Sequence, residues 1–325
     1  MKAILLLALV LLGPFGSFPA QSDSCLNRTV AVNVVNKDGE MVKALTAKNF
    51  RAEVHGKPAK IESIEYKVGG GRVALLLDVS GSMTHPLWKM EASTTFLGYL
   101  LAASPPSLVS FALMTFNTRI TDEVTFDRGR EEVANRLAKI ATGDWRRVNS
   151  GGRTGWLDAT MEARHLLEPV HPTNAFFLVT DGADDASKTL PQELQKALLS
   201  QNARLFGFLI DVSPIDPDVE GGLGPGTLKD LVDVSGGSMT SLFYQISRSP
   251  GFTPDLPRVT EQQRQVMLSR ARHFAQVFSE NYIVNMRLPE RLAKPERWRL
   301  DIMNSSGEKD ENVHVLYPRQ LAACN

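Results

Sequence analysis

Three short polar segments carry the oxygen atoms that could do chemistry in this 325-residue chain. The first is Asp78, Ser80 and Ser82, in the stretch VALLLDVSGSM from Val73 to Met83. Alternate side chains of an extended or tightly turning segment point the same way, so these three can converge on one point. One carboxylate and two hydroxyls make an all-oxygen set suited to a hard cation such as Mg²⁺. The second is the Thr154 hydroxyl, on the loop Gly151-Gly152-Arg153-Thr154. The third is Asp181, which ends the apolar run NAFFLVTD and precedes Gly182. Asp78, Ser80 and Ser82 alone also fit a polar turn that caps a helix starting near Pro86. The order strand then Asp-x-Ser-x-Ser, loop then Thr, strand then Asp is what makes the metal reading specific.

Catalytic patterns do not accompany these residues. No G-x-S-x-G elbow surrounds Ser80 or Ser82. The six histidines show neither HExxH nor zinc spacing. A hydrolase that uses a cation at Asp78 to activate water is one alternative. However, the motifs contain no His or Glu to act as a base, and the chain is read as a binding protein, not an enzyme. Asp158, Asp184 and Asp185 lie close in sequence to the motif loops. They either support the ligands from behind or are plain features, a helix cap for Asp158 and surface charge for the other two. Trp145 and Trp156 flank the Thr154 loop and face either a ligand or the core. Arg146 and Arg147 read as a solvated face, and Arg153 either as a solvated loop residue or as added charge for a ligand.

The elements that must position these residues follow from apolar patterning. Val73 to Leu77, Leu108 to Asn117, Asn174 to Asp181 and Arg204 to Asp211 read as buried strands. Ile120 to Phe126 alternates like an edge strand. Helical spacing marks Leu87 to Ala103, Glu131 to Ile140, Trp156 to Glu168, Leu190 to Ser200, Leu228 to Val234 and Glu261 to Ser279. Ser213 to Gly226 reads as an irregular loop that can rim the site, and Ser238 to Tyr244 as a last strand. Ser247 to Pro257 is a Pro/Gly-rich linker. On either side of this α/β region the chain is β-like. Arg28 to Val35, Phe50 to His55 and Ala59 to Val68 precede it, and Tyr282 to Leu288, Trp298 to Met303 and Val313 to Tyr317 follow it.

Composition sets the outer bounds. Hydrophobic residues make up 43% and charged residues 22%, as in an ordinary globular protein. Lys and Arg balance Asp and Glu at 36 each, which argues against nucleic acid as a partner. Met1 to Ala20 has the charged start and short apolar run of a secretory signal, with small residues offering cleavage after Ala20 or Ser22. No later run is long enough to span a bilayer. The expected location is secreted or periplasmic. A lipid anchor at Cys25 is the alternative, although Asp23 spoils the usual pattern. Cys25 and Cys324 are the only cysteines and sit at the two ends of the mature chain. In an exported protein they are expected to pair and to staple the terminal β segments together.

The order of Asp78, Ser80, Ser82, Thr154 and Asp181 resembles the metal-ion-dependent adhesion site, or MIDAS, of the von Willebrand factor type A (VWA) domain family. The resemblance covers about Gly71 to Gln245. It implies a doubly wound, mostly parallel α/β sheet with the site at its carboxyl edge. It also implies Mg²⁺, Mn²⁺ or Ca²⁺ held by those five residues. The neutral hydroxyl ligands would leave the ion attractive to an Asp or Glu of a protein partner, which is the adhesion chemistry of the family. Asp38, Gly39, Val42, Leu45, Thr46 and Phe50 further resemble the leader of a bacterial secreted VWFA-related family. The expected organisation is a signal peptide at 1–22, β strands at 23–70, the VWA domain at 71–246, a linker and long helix at 247–281, and β strands at 282–325. The terminal strands are expected to pair as a small antiparallel sandwich into which the VWA domain is inserted. A purely structural subunit of an exported assembly is the other non-enzymatic alternative. The family's last helix shifts with ligand binding, which implies coupling through Glu261 to Ser279.

Overall fold

A computed structural model describes residues 25–84, 87–143, 152–211, 223–243 and 259–324. The expected signal peptide, Trp145, Arg146, Arg147 and the linker at Ser247 to Pro257 lie outside these residues.

Two sheets organise the described chain. One has six strands in the order β6-β5-β4-β7-β8-β9. Its central strands are β4 (Gly71–Asp78) and β7 (Asn174–Thr180), with β8 (Arg204–Asp211) and β9 (Met239–Phe243) on one side. On the other side lie β5 (Val109–Phe116) and β6 (Ile120–Val124). All neighbours run parallel except β6, which is antiparallel to β5 as the edge-strand reading expects. The apolar runs have no polar alternation because both faces are covered. Leu75, Leu77, Phe177 and Phe208 face α2 (Leu87–Ala103), α3 (Gly129–Ala141) and α7 (Glu261–Ser279). Ala74, Leu76, Phe176 and Leu178 face α4 (Trp156–Glu162), α5 (Pro191–Ser200) and α6 (Pro225–Ser235). A four-residue turn of helix, α1 (Gly81–Thr84), follows the first motif.

The second sheet joins the two ends of the chain. Its order is β12-β1-β10-β3-β2-β11-β13. Strands β1 (Asn27–Asn36), β2 (Phe50–Val54) and β3 (Lys57–Val68) come from the N-terminal side. Strands β10 (Glu280–Arg287), β11 (Glu296–Ile302), β12 (Val313–Leu316) and β13 (Gln320–Leu321) come from the C-terminal side. They interleave: β10 lies between β1 and β3, and β11 pairs with β2, all antiparallel. One core serves this sheet, built on Val32, Val54, Tyr282, Val284, Trp298 and Ile302. Cys25 and Cys324 are disulfide-bonded across the chain ends, with their Cα atoms 5.4 Å apart. The α/β unit is therefore an insertion between β3 and β10.

The two units meet closely. A Cβ on Gly71 would strike the Phe278 carbonyl oxygen, so only glycine lets β4 start beneath α7. Arg204, at the head of β8, is fully buried and donates to Asn33 Oδ1 at 2.5 Å and to Asn281 Oδ1 at 2.8 Å. Those acceptors belong to β1 and β10, so a neutral polar cradle from one unit holds a cation from the other. Burial pushes the Arg204 guanidinium down to about 10.

Most boundaries lie within two residues of the sequence reading, and two helices depart further. Trp156 to Glu168 does not form one helix: α4 ends at Glu162 and tightens into a 3₁₀ segment over Ala163–Leu167. Helix α6 begins at Pro225, not Leu228, because Pro225 sits at the first helical position, where its missing N–H is harmless. That shortens the expected loop at Ser213 to Gly226, of which residues 213–222 lie outside the described part.

Candidate metal centre

Strands β4 and β7 are neighbours at the point where the strand order reverses, where open α/β sheets present their ligand crevice. Their carboxyl ends carry Asp78 and Asp181. Asp78 is fully buried. Its Oδ1 accepts from the Ser80 backbone N–H at 2.8 Å, and its Oδ2 accepts from the Thr180 hydroxyl at 2.7 Å. The first bond closes the turn after β4 and aims the two serines together, with Ser80 Oγ and Ser82 Oγ 3.3 Å apart. The Asp78 carboxyl is pushed up to about 7, first by burial and then by the Asp181 charge, while the Ser80 and Thr180 hydrogen bonds oppose the rise.

The Thr154 loop is tied to the same turn through its backbone. Gly81 N–H donates to the Gly152 carbonyl at 3.2 Å. Thr154 is itself buried. Its N–H donates to Asp185 Oδ1 at 2.8 Å, and its carbonyl accepts from the Asp185 and Ala186 N–H groups, each at 3.0 Å. Asp181 is followed by Gly182 at φ +89°, where a Cβ would also strike Leu209 at 2.8 Å, so the turn that presents Asp181 requires glycine. All five expected residues thus stand on three loops that the structure joins.

The neighbouring carboxylates correct the sequence reading. Asp184 is not surface charge: it is buried, and its Oδ2 accepts from the Leu157 N–H at 2.9 Å and the Ser187 hydroxyl at 2.8 Å. Asp185 is not free either, because it holds Thr154 N–H and pairs with Arg153 Nε at 3.1 Å. Asp158 does not cap its own helix; it accepts from the Lys188 and Thr189 N–H groups at 3.0 and 2.7 Å. These carboxylates fasten the segment after β7 to the start of α4, and their short local spacing gave no sign of it. Trp156 is fully buried in the core.

Two contributors escaped the sequence reading entirely. Thr180 stands one residue before Asp181 and looked like an ordinary strand residue. Lys89 donates from Nζ to Asp181 Oδ2 at 2.9 Å, with side chains only 6% and 11% exposed. The available signal was a lysine between Trp88 and Met90 in an otherwise apolar helix start.

The donor set fits a small hard cation. Every candidate ligand atom is oxygen. Asp181 Oδ1 is buried and has no hydrogen-bond partner among the described residues. A buried carboxylate oxygen without a donor is costly and calls for one more positive partner.

Solved structures of similar shape include the conserved hypothetical protein BatB from Bacteroides thetaiotaomicron, at 13% identity and TM-score 0.45. That match covers 64% of this chain and 98% of BatB. Proximal thread matrix protein 1 from the mussel byssus, solved with a zinc-occupied MIDAS motif, matches at 13% identity and TM-score 0.49. There the match covers 69% of this chain and 50% of the mussel protein. A von Willebrand factor type A protein from Catenulispora acidiphila matches at 12% identity and TM-score 0.42, over 91% of this chain and 73% of its own. No curated protein matches the chain in sequence. The model of the von Willebrand factor type A domain matches residues 73–248, more than half of the length, with Asp78 near its start and the β9 edge near its end. The chain belongs to the von Willebrand factor type A domain family.

Proposed function

We propose that Asp78, Ser80, Ser82, Thr154 and Asp181 hold a divalent cation, Mg²⁺, Mn²⁺ or Ca²⁺, and that the loaded site captures an Asp or Glu side chain of a protein partner outside the cytoplasm. The observation that carries this reading is the buried Asp181 Oδ1, without a hydrogen-bond partner among the described residues, at the end of the strand next to the one that leads into the converging Ser80 and Ser82 hydroxyls. A bound cation would supply an electrophilic point for an external carboxylate, because three of its ligands, Ser80, Ser82 and Thr154, would be neutral hydroxyls. Within the chain, Thr180 and the Ser80 N–H fix Asp78, and Asp185 fixes the Thr154 backbone. The role is binding, not catalysis. Export is supported by the Cys25–Cys324 bridge, which belongs in an oxidising compartment. No described helix is long and apolar enough to cross a membrane.

Calorimetric titration with Mg²⁺ and Mn²⁺ tests the site, comparing wild type with a folded Asp78→Ala, Ser80→Ala variant. Saturable one-site binding lost in the variant is expected; binding that survives there would refute the assignment. Partner capture is then measured with metal and after chelation, and capture indifferent to chelation would refute the carboxylate mechanism. The Lys89–Asp181 ion pair favours a second reading, a structural subunit whose site is neutralised from within. In that case Mg²⁺ leaves the melting temperature unchanged.

A further inference from the structure

The Lys89 ammonium stands where a divalent cation would have to compete with it. It is almost fully buried, and the group it ion-pairs with is Asp181, the carboxylate that ends the third motif segment. Its placement is not incidental. Helix α2 starts at Leu87, shortly after the Asp78–Ser82 loop and α1, so the turn that aims the two serines also delivers Lys89. The helix is enclosed on most faces, with Trp88, Met90, Ala92 and Phe96 buried around the lysine. The ammonium sits out of solvent and is held by Asp181. Taking such a charge out of water is costly unless it is paired, and Asp181 Oδ2 provides the pairing.

Charge counting gives the consequence. Asp78 and Asp181, when ionised, bring two negative charges to the site, and Lys89 cancels one of them. A divalent cation drawn to the open Oδ1 of Asp181 would share that carboxylate with the ammonium on Oδ2, and like charges at such range repel in a poorly hydrated pocket. The site with both cations present carries a net positive charge, which one further carboxylate from outside would neutralise.

We propose that Lys89 is a tethered cation that holds the site together without metal and lowers its affinity for metal, so that a divalent ion is bound firmly only together with an external carboxylate. This rests on the metal-site reading above.

The test is calorimetric titration of Mn²⁺ alone into wild type, Lys89→Met, Lys89→Gln and the Asp78→Ala, Ser80→Ala double variant. Lys89→Gln keeps a hydrogen-bond donor for Asp181 should the methionine variant fold poorly. At least tenfold tighter Mn²⁺ binding is expected in the Lys89 variants. Their metal-free melting temperature is expected to lie below wild type and to be restored by Mn²⁺. Adding acetate as a carboxylate probe is expected to tighten Mn²⁺ binding in wild type more than in the Lys89 variants. Affinity that is unchanged or weaker in folded Lys89 variants overturns the role of Lys89, while loss of binding in the double variant would still uphold the metal site. Binding that persists in the double variant, or no Mn²⁺ binding by wild type and both Lys89 variants, overturns both readings.

Discussion

The Thr180 hydroxyl donates to Asp78 Oδ2 at 2.7 Å, so the strand that presents one motif carboxylate also immobilises the other. The same oxygen of Thr180 accepts from the Gly182 N–H at 3.1 Å, which draws the turn after Asp181 toward β4. Thr180→Val keeps the shape and removes the donor. We expect a loss of about 1–3 kcal/mol in chemical denaturation, the usual penalty for stranding a buried polar oxygen. A variant as stable as wild type would show that Asp78 finds another donor.

Within the inserted unit, helix α7 is fastened to the six-stranded sheet through an aromatic cluster. The Phe274 ring lies 5.0 Å from Phe177, 6.0 Å from Phe206 and 6.1 Å from Phe278, centre to centre. Phe274→Ala leaves a cavity among rings that cannot collapse together, and about 3–5 kcal/mol of stability should be lost. Because α7 runs directly into β10, we also expect faster proteolysis at the junction of Ser279 and Glu280. Wild-type proteolysis there would mean that β10 holds the junction alone.

The disulfide closes a sequence separation of 299 residues. Such a bridge chiefly restricts the unfolded chain, and its removal costs about 2–5 kcal/mol. The paired change Cys25→Ser, Cys324→Ser should lower the denaturation midpoint of the terminal sheet. Mn²⁺ binding should be unaffected, since the site lies in the other unit. A change in metal affinity would reveal coupling between the two units.

His273 gives the chain a pH response at the seam between the two units. Burial holds its imidazole below the usual range, and Arg270 adds to this, while the Gly39 carbonyl at 3.2 Å works the other way. Lys37 and Asp38 line the same cavity. The unfolded chain takes up this proton more readily than the folded one. The contribution is therefore intact above the ordinary pKa of about 6.5 and is lost as the pH falls through it. His273→Gln should flatten part of the stability decline below about pH 6.5. Identical urea midpoints in wild type and variant across that range would remove His273 from the account.

Legibility in the sequence tracked how locally each feature is encoded. The apolar runs of β4, β5, β7 and β8 announce strands covered on both faces, and Leu87–Ala103 and Glu261–Ser279 match the expected helices end to end. The places of Asp78 and Asp181 at strand ends and of Thr154 on a loop were legible because each carboxylate closes an apolar run and Thr154 follows two glycines. Lys89 was not, because its partner lies 92 residues away and nothing in a helix start says where a long side chain will reach. Asp184 and Asp185 look like any charged turn until the Thr154 loop is brought against them. The 3₁₀ ending of α4 and the early start of α6 depend on how each helix terminus meets its neighbours, which short-range patterning does not record.

The insertion between β3 and β10 also sets an order of events during folding. Val68 and Glu280 pair directly in the terminal sheet, yet the whole inserted unit separates them along the chain. Strands β1 to β3 leave the ribosome long before the strand that must lie between β1 and β3 exists. An unassisted search for that pairing would carry the entropy of a very long loop. Once the six-stranded sheet and α7 have formed, Gly69 N–H can donate to the Ser279 carbonyl at 2.7 Å, and the two strand ends stand side by side. The inserted unit thus works as an internal template. Until it is complete, β1 and β3 expose unpaired edges that invite association between nascent chains.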